Sequence, residues 1–226
     1  MSKRILVIAA HPDDEVFGLG GTMANCIRQG DQVSVLIMTD GVTARHNVTE
    51  PQKVAARKAG AILGVERVYF ADLPDQGLDS IPLLQIIKPI SELINELRPQ
   101  IVYTHHRGDA NQDHRAIFAA TLVAVRPFGD NSVERVLCYE VASSTEWGPP
   151  FVEWAFNPNV YVDISATLEV KVKAVEAYRD TFQSEIKPLP HPRSPEAVRI
   201  YAQQRGINVG MQAAEAFILV RELIKE

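Results

Sequence analysis

Two short stretches of this chain carry the side chains best suited to chemistry. The first is His11-Pro12-Asp13-Asp14-Glu15, preceded by Ala10. Proline fixes its own φ and biases the residue before it toward an extended conformation. A stiff turn therefore presents one imidazole and two adjacent carboxylates. His11 and Asp14 can bind one metal ion while Asp13 points to a neighbouring position. An acidic helix start would also explain Asp13, Asp14 and Glu15 through the helix dipole, but the His-Pro pair in front weighs against that plainer account. The second stretch is Thr104-His105-His106-Arg107-Gly108-Asp109-Ala110-Asn111-Gln112-Asp113-His114-Arg115. It holds three of the chain's six histidines. His114 can complete a His-Asp-His set, and zinc hydrolases use three protein ligands while keeping one position open. Asp113, beside His114, can orient an imidazole as carboxylates behind metal ligands do. Capping of a helix by Asp113 is the bland alternative.

The elements that must position these stretches emerge from the hydrophobic pattern. Short apolar, β-branched runs at residues 4–10, 32–39, 67–70, 101–105 and 135–140 predict strands covered on both faces. Between them, residues 20–29, 51–63, 82–97 and 113–125 have helical patterning. Such alternation predicts an α/β fold, Rossmann-like, with a mostly parallel sheet and helices on both faces. Both chemical stretches then begin at carboxyl ends of strands, where open α/β sheets gather ligands. Beyond Glu140 the pattern gives a polar loop over 143–150, a strand over 160–164 and a helix over 168–178. After these come a proline-rich loop over 186–195, a helix over 196–205 and a strand over 217–220. The expected organisation is one domain over 1–226, with a core over 1–140 and a substrate loop and C-terminal elements over 141–226.

Composition narrows the class. The chain has 226 residues, 46% hydrophobic and 23% charged, which suits a globular protein with a real core. A net charge of -5 argues against a nucleic-acid partner. No run approaches the ~20 apolar residues of a membrane span. Cys26 and Cys138 are too few for a disulfide framework and suit a reducing compartment. A cytoplasmic location is expected, with the sequon Asn47-Val48-Thr49 fortuitous.

Together, the A-H-P-D-D-E stretch and the later D-x-N-x-D-H stretch resemble the PIG-L / LmbE-like family of zinc-dependent N-deacetylases. Gly18–Gly21, Met38-Thr39-Asp40-Gly41, Arg57, Leu73-Pro74-Asp75 and the C-terminal Arg205-Gly206…Ala214-Glu215-Ala216-Phe217 extend the resemblance over nearly the whole chain. It implies His11, Asp14 and His114 as ligands of Zn2+, with another divalent metal such as Fe2+ an option, and Asp13 as general base. It implies a small N-acetylated sugar as substrate and a homo-oligomer. Well-described members carry a histidine three residues before the third ligand, where it stabilises the oxyanion. This chain has Asn111 there, which can donate a hydrogen bond but offers no positive charge. Arg57, Trp147 and His191 are expected substrate contacts, each with a plain surface or packing alternative. Three competing readings are hydrolysis of a thiol-sugar amide, a metal-binding homologue without turnover, and a nucleotide binder suggested by Gly18-Leu19-Gly20-Gly21. The absence of G-x-G-x-x-G speaks against the last.

Overall fold

A computed structural model describes residues 2–41, 49–179 and 186–224. Seven strands form one sheet in the order β3-β2-β1-β4-β5-β7-β6. They are β1 (Arg4–Ala9), β2 (Gln32–Thr39), β3 (Arg67–Leu73), β4 (Ile101–His105), β5 (Arg135–Tyr139), β6 (Val160–Asp163) and β7 (Ala214–Glu222). The first five pair in parallel, and β7 runs antiparallel to both β5 and β6. The α/β class read from the sequence is therefore the observed one. The late strand expected at 217–220 is longer, because β7 pairs along two neighbours at once.

The side-chain alternation of the strands sorts the core into two layers. Ile5, Val7 and Ala9 of β1 pack beneath α1 (Asp14–Arg28), α2 (Glu50–Leu63) and α5 (Leu168–Glu176). Leu6 and Ile8 face the opposite way, toward α3 (Leu83–Leu97) and α4 (Gln112–Ala124). The final helix, α6 (Pro195–Ile207), packs against β7.

One element starts earlier than its pattern indicates. Helix α1 begins at Asp14, not near residue 20, and runs through the glycines with a kink at Leu19. Those glycines serve close packing: a Cβ on Gly18 would strike the Tyr139 ring, and one on Gly21 would lie 2.8 Å from Ile164. Gly18 to Gly21 is thus a close-packed stretch of α1, against β5 at Gly18, α5 at Gly20 and Ile164 just past β6 at Gly21, with no phosphate-binding turn. The Asn47 and Val48 of the sequon lie outside the described residues.

The strand order reverses between β1 and β4. The chain leaves β1 toward β2 and β3, then returns to place β4 on the other side of β1. The loops after β1 and β4 therefore diverge from adjacent strands, and the crevice between them is the natural ligand position of an open α/β sheet.

Candidate metal and catalytic site

That crevice brings the two stretches together. His11 Nδ1 lies 3.2 Å from Asp14 Oδ2, and His114 Nε2 lies 3.2 Å from the same oxygen. The two imidazole nitrogens are 3.4 Å apart. One ligand atom from each of His11, Asp14 and His114 falls within 4.8 Å of the others. Asp14 and His114 are buried, while His11 is half-buried at the pocket floor. Asp14 Oδ1 is buried and has no protein partner. Two imidazole nitrogens gathered at one carboxylate, whose second oxygen has no partner, fit a divalent metal with positions left open. Zn2+ accepts this donor set, as does Fe2+.

Each imidazole is held from behind by a carboxylate. Asp109 Oδ2 lies 3.1 Å from His114 Nδ1, and Asp113 Oδ2 lies 3.1 Å from His11 Nε2. Asp113 thus orients the histidine of the other stretch, not its own neighbour. Backbone N–H groups of Gln76 and Leu78 donate to Asp113, and those of Asn111 and the hydroxyls of Ser144 and Thr145 to Asp109. Asp75 Oδ1 also approaches His11 Nε2, at 3.4 Å. Burial lowers the proton affinity of His11, but the bonds to Asp113 and Asp14 outweigh it and push the ring up to about 10. For His114 burial is likewise outweighed, by Asp14 and Asp109, and the ring is pushed up to about 9. Burial alone would raise Asp14, yet His114 and His11 hold its carboxyl well below the usual range.

His105 has a different task. Its Nε2 accepts the Ala10 N–H at 2.8 Å and lies 3.1 Å from the Tyr139 hydroxyl. Its ring stacks on His114, centroids 3.9 Å apart. Burial holds it neutral, well below its ordinary value. It stitches the end of β4 to β1 and supports His114 from beneath. His106 is turned away, with Nε2 2.8 Å from the Trp154 carbonyl.

Asp13 sits beside the cluster in a left-handed conformation, φ 108°. Its carboxylate Oδ2 accepts from Arg193 Nη1 at 2.8 Å. Asn111 caps α4: its Oδ1 accepts the Asp113 N–H at 2.8 Å, which leaves the amide NH2 as its donor end. Asp13, Asn111, His11 and His114 all line one polar pocket of about 450 Å³, together with Gln52, Gln76, Ser143, Ser144 and Arg193.

The three expected substrate contacts do not line this pocket. Arg57 lies on α2, exposed, paired with Glu50 and stacked on Phe70. Trp147 is 61% exposed, on the short helical turn just after Ser143 and Ser144. His191 turns its Nδ1 to the backbone N–H of Arg193. Arg193, two residues on, is the member of that loop that reaches the pocket. Its only sequence signal was a cation within a proline-rich loop. Asp109 had a clearer one, as the first residue of the D-x-N-x-D-H spacing. A second cavity, between α1, α6 and β7, is lined by charges already paired as Lys171–Glu215 and Arg205–Glu140.

The chain is similar to known proteins over most of its length. A curated relative, the uncharacterized deacetylase YaiS of Escherichia coli, is 28% identical over 187 residues, spanning 78% of this chain and 91% of its own. The diacetylchitobiose deacetylase of Thermococcus kodakarensis is 26% identical over 219 residues, covering 90% of this chain and 79% of its own. The crystal structure of the conserved protein TT1542 from Thermus thermophilus superposes with a TM-score of 0.78 at 26% identity, covering 99% and 97% of the two chains. The family model described as PIG-L, GlcNAc-PI de-N-acetylase, matches residues 6–125, from β1 through the end of α4. The chain belongs to the PIG-L de-N-acetylase family.

Proposed function

We propose that this protein is a metal-dependent hydrolase that removes the acetyl group from the nitrogen of an amino sugar of N-acetylglucosamine type, releasing acetate. The observation that carries the reading is the convergence of His11, Asp14 and His114 on one point, with Asp13 beside them at the floor of a polar pocket. Membership of the family supports the reaction class. The sugar is supported by relatives such as the diacetylchitobiose deacetylase.

His11 Nδ1, His114 Nε2 and the Asp14 carboxylate would hold the metal. When bound, zinc or another divalent ion supplies Lewis acidity, polarising a carbonyl and acidifying water. The chain's own residues supply the rest. Asp13 takes a proton from the attacking water and returns it to the amide nitrogen, which cannot leave as an anion. One carboxylate serves as base and then as acid, so the proton count closes. Asn111 donates from its amide NH2 to the carbonyl oxygen as that oxygen gains negative charge. Asp113 and Asp109 fix the imidazole orientations. Gln52, Gln76, Ser143 and Ser144 offer amides and hydroxyls suited to sugar hydroxyls. Trp147 stays in this reading as a stacking surface for the part of a larger glycoside outside the pocket. Arg57 and His191 have no part in it. The reading includes a homo-oligomer in the cytoplasm, and no described helix is long and apolar enough to cross a membrane.

The test is acetate release from a panel of N-acetylated glycosides, with and without chelator. Release that stops with chelator and returns with added Zn2+ is expected. A metal-loaded protein that releases acetate from none of them would overturn the reading.

A further inference from the structure

We propose that Arg193 is a positioning residue for Asp13, holding the carboxylate in the direction that proton transfer requires. The inference rests on Asp13 acting as the base.

Asp13 has a conformation that L residues rarely adopt, φ 108° and ψ -27°. Such a backbone persists only where its surroundings over-determine it. Its N–H donates to Glu15 Oε2 at 3.0 Å, and Glu15 Oε1 accepts from the Tyr178 hydroxyl at 2.5 Å. That bond fixes the backbone. The side chain is fixed by Arg193, whose Nη1 donates to Asp13 Oδ2. A planar guanidinium can hold a carboxylate's direction only if it is itself held. Here Nε donates to Ser143 Oγ at 2.7 Å, and the guanidinium lies 5.4 Å from the ring centroid of Phe17, in the first turns of α1. The Arg193 backbone is also anchored. His191 Nδ1 accepts its N–H at 3.1 Å, and the next residue, Ser194, caps α6. The C-terminal part of the chain thus grips the base that the N-terminal turn supplies.

A misplacement of about 1 Å in a reacting group can cost on the order of 10²-fold in rate. Arg193→Ala should therefore lower kcat by roughly that factor, with KM and metal content little changed. Low concentrations of guanidinium ion should restore part of the loss, and Arg193→Lys should fall between the two. In an Asp13→Asn background, Arg193→Ala should cost nothing further. If the alanine variant does not fold, Arg193→Gln carries the same measurements. A kcat within threefold of the parent overturns the proposal. So does a rise in KM at unchanged kcat, which would make Arg193 a substrate anchor. If Asp13→Asn alone keeps nearly full turnover, the assignment of Asp13 as base fails instead. If Asp13→Asn is inactive while Arg193→Ala is not, only the role of Arg193 fails.

Discussion

The Asp113 carboxylate and the His11 imidazole, 102 residues apart in the chain, lie 3.1 Å from each other, Oδ2 to Nε2. The contact turns His11 so that Nδ1 faces Asp14 and His114. It also ties the turn after β1 to the first turn of α4. A carboxylate behind a metal-binding imidazole fixes both tautomer and ring orientation, and its loss typically weakens metal binding 10–100-fold. Asp113→Asn should show a weakening of that order in a competitive metal titration, with the fold retained by circular dichroism. Unchanged affinity would mean that Asp113 serves only the loop contacts through Gln76 and Leu78.

Asp13→Asn separates proton transfer from metal binding. Asp13 is adjacent to Asp14, a proposed ligand, but lies outside the converging donor set. The variant should retain metal, measured by elemental analysis, and lose activity by ~10²-fold or more. Loss of metal together with activity would assign Asp13 to the ligand set.

Asn111 has two ends with two tasks. Its Oδ1 caps α4, and its amide NH2 is the candidate oxyanion donor. Asn111→Asp keeps an acceptor for the cap and removes the donor. The thermal midpoint should stay close to that of the parent, and kcat should fall on the order of 10²-fold, as when an oxyanion donor is removed. Asn111→Ala should lose both the rate and about 1 kcal/mol of cap stability. A parental kcat in Asn111→Asp would move the oxyanion role elsewhere.

Metal uptake should expel protons. In the metal-free protein, His11 is raised to about 10 and His114 to about 9 by their carboxylate partners, both above the ordinary histidine value. Protonation of these rings therefore stabilises the metal-free fold below about pH 6.5, and the contribution is lost as pH rises through 9 to 10. A metal requires the neutral rings, so binding at neutral pH should release about two protons, one per imidazole. Apparent affinity should climb with pH across that window. Titration calorimetry in buffers of different ionisation enthalpy reads the number directly, and uptake with no proton release would contradict it.

The sequence by itself determined the elements and the donor types. Apolar runs such as Ile5–Ala9, short, rich in β-branched residues and bounded by turn residues, favour strands buried on both faces, and the longer amphipathic stretches between them favour helices that cover that sheet. The His-Pro-Asp-Asp and D-x-N-x-D-H stretches fixed which groups sit at strand ends, because residues a few positions past a strand cannot stray far from its end. Tertiary structure alone decided which groups meet. The reversal of strand order between β1 and β4 set His11 beside His114 and crossed Asp113 over to His11. Arg193 comes from a loop before α6, and nothing in its neighbourhood along the chain signals that the fold brings it to Asp13. Arg57 and His191 had comparable local patterns and do not line the pocket, because α2 carries Arg57 out against Phe70 and the His191 ring turns back to the Arg193 backbone. Local chemistry is legible in residue order, whereas partnership across the crevice depends on how the sheet is wound.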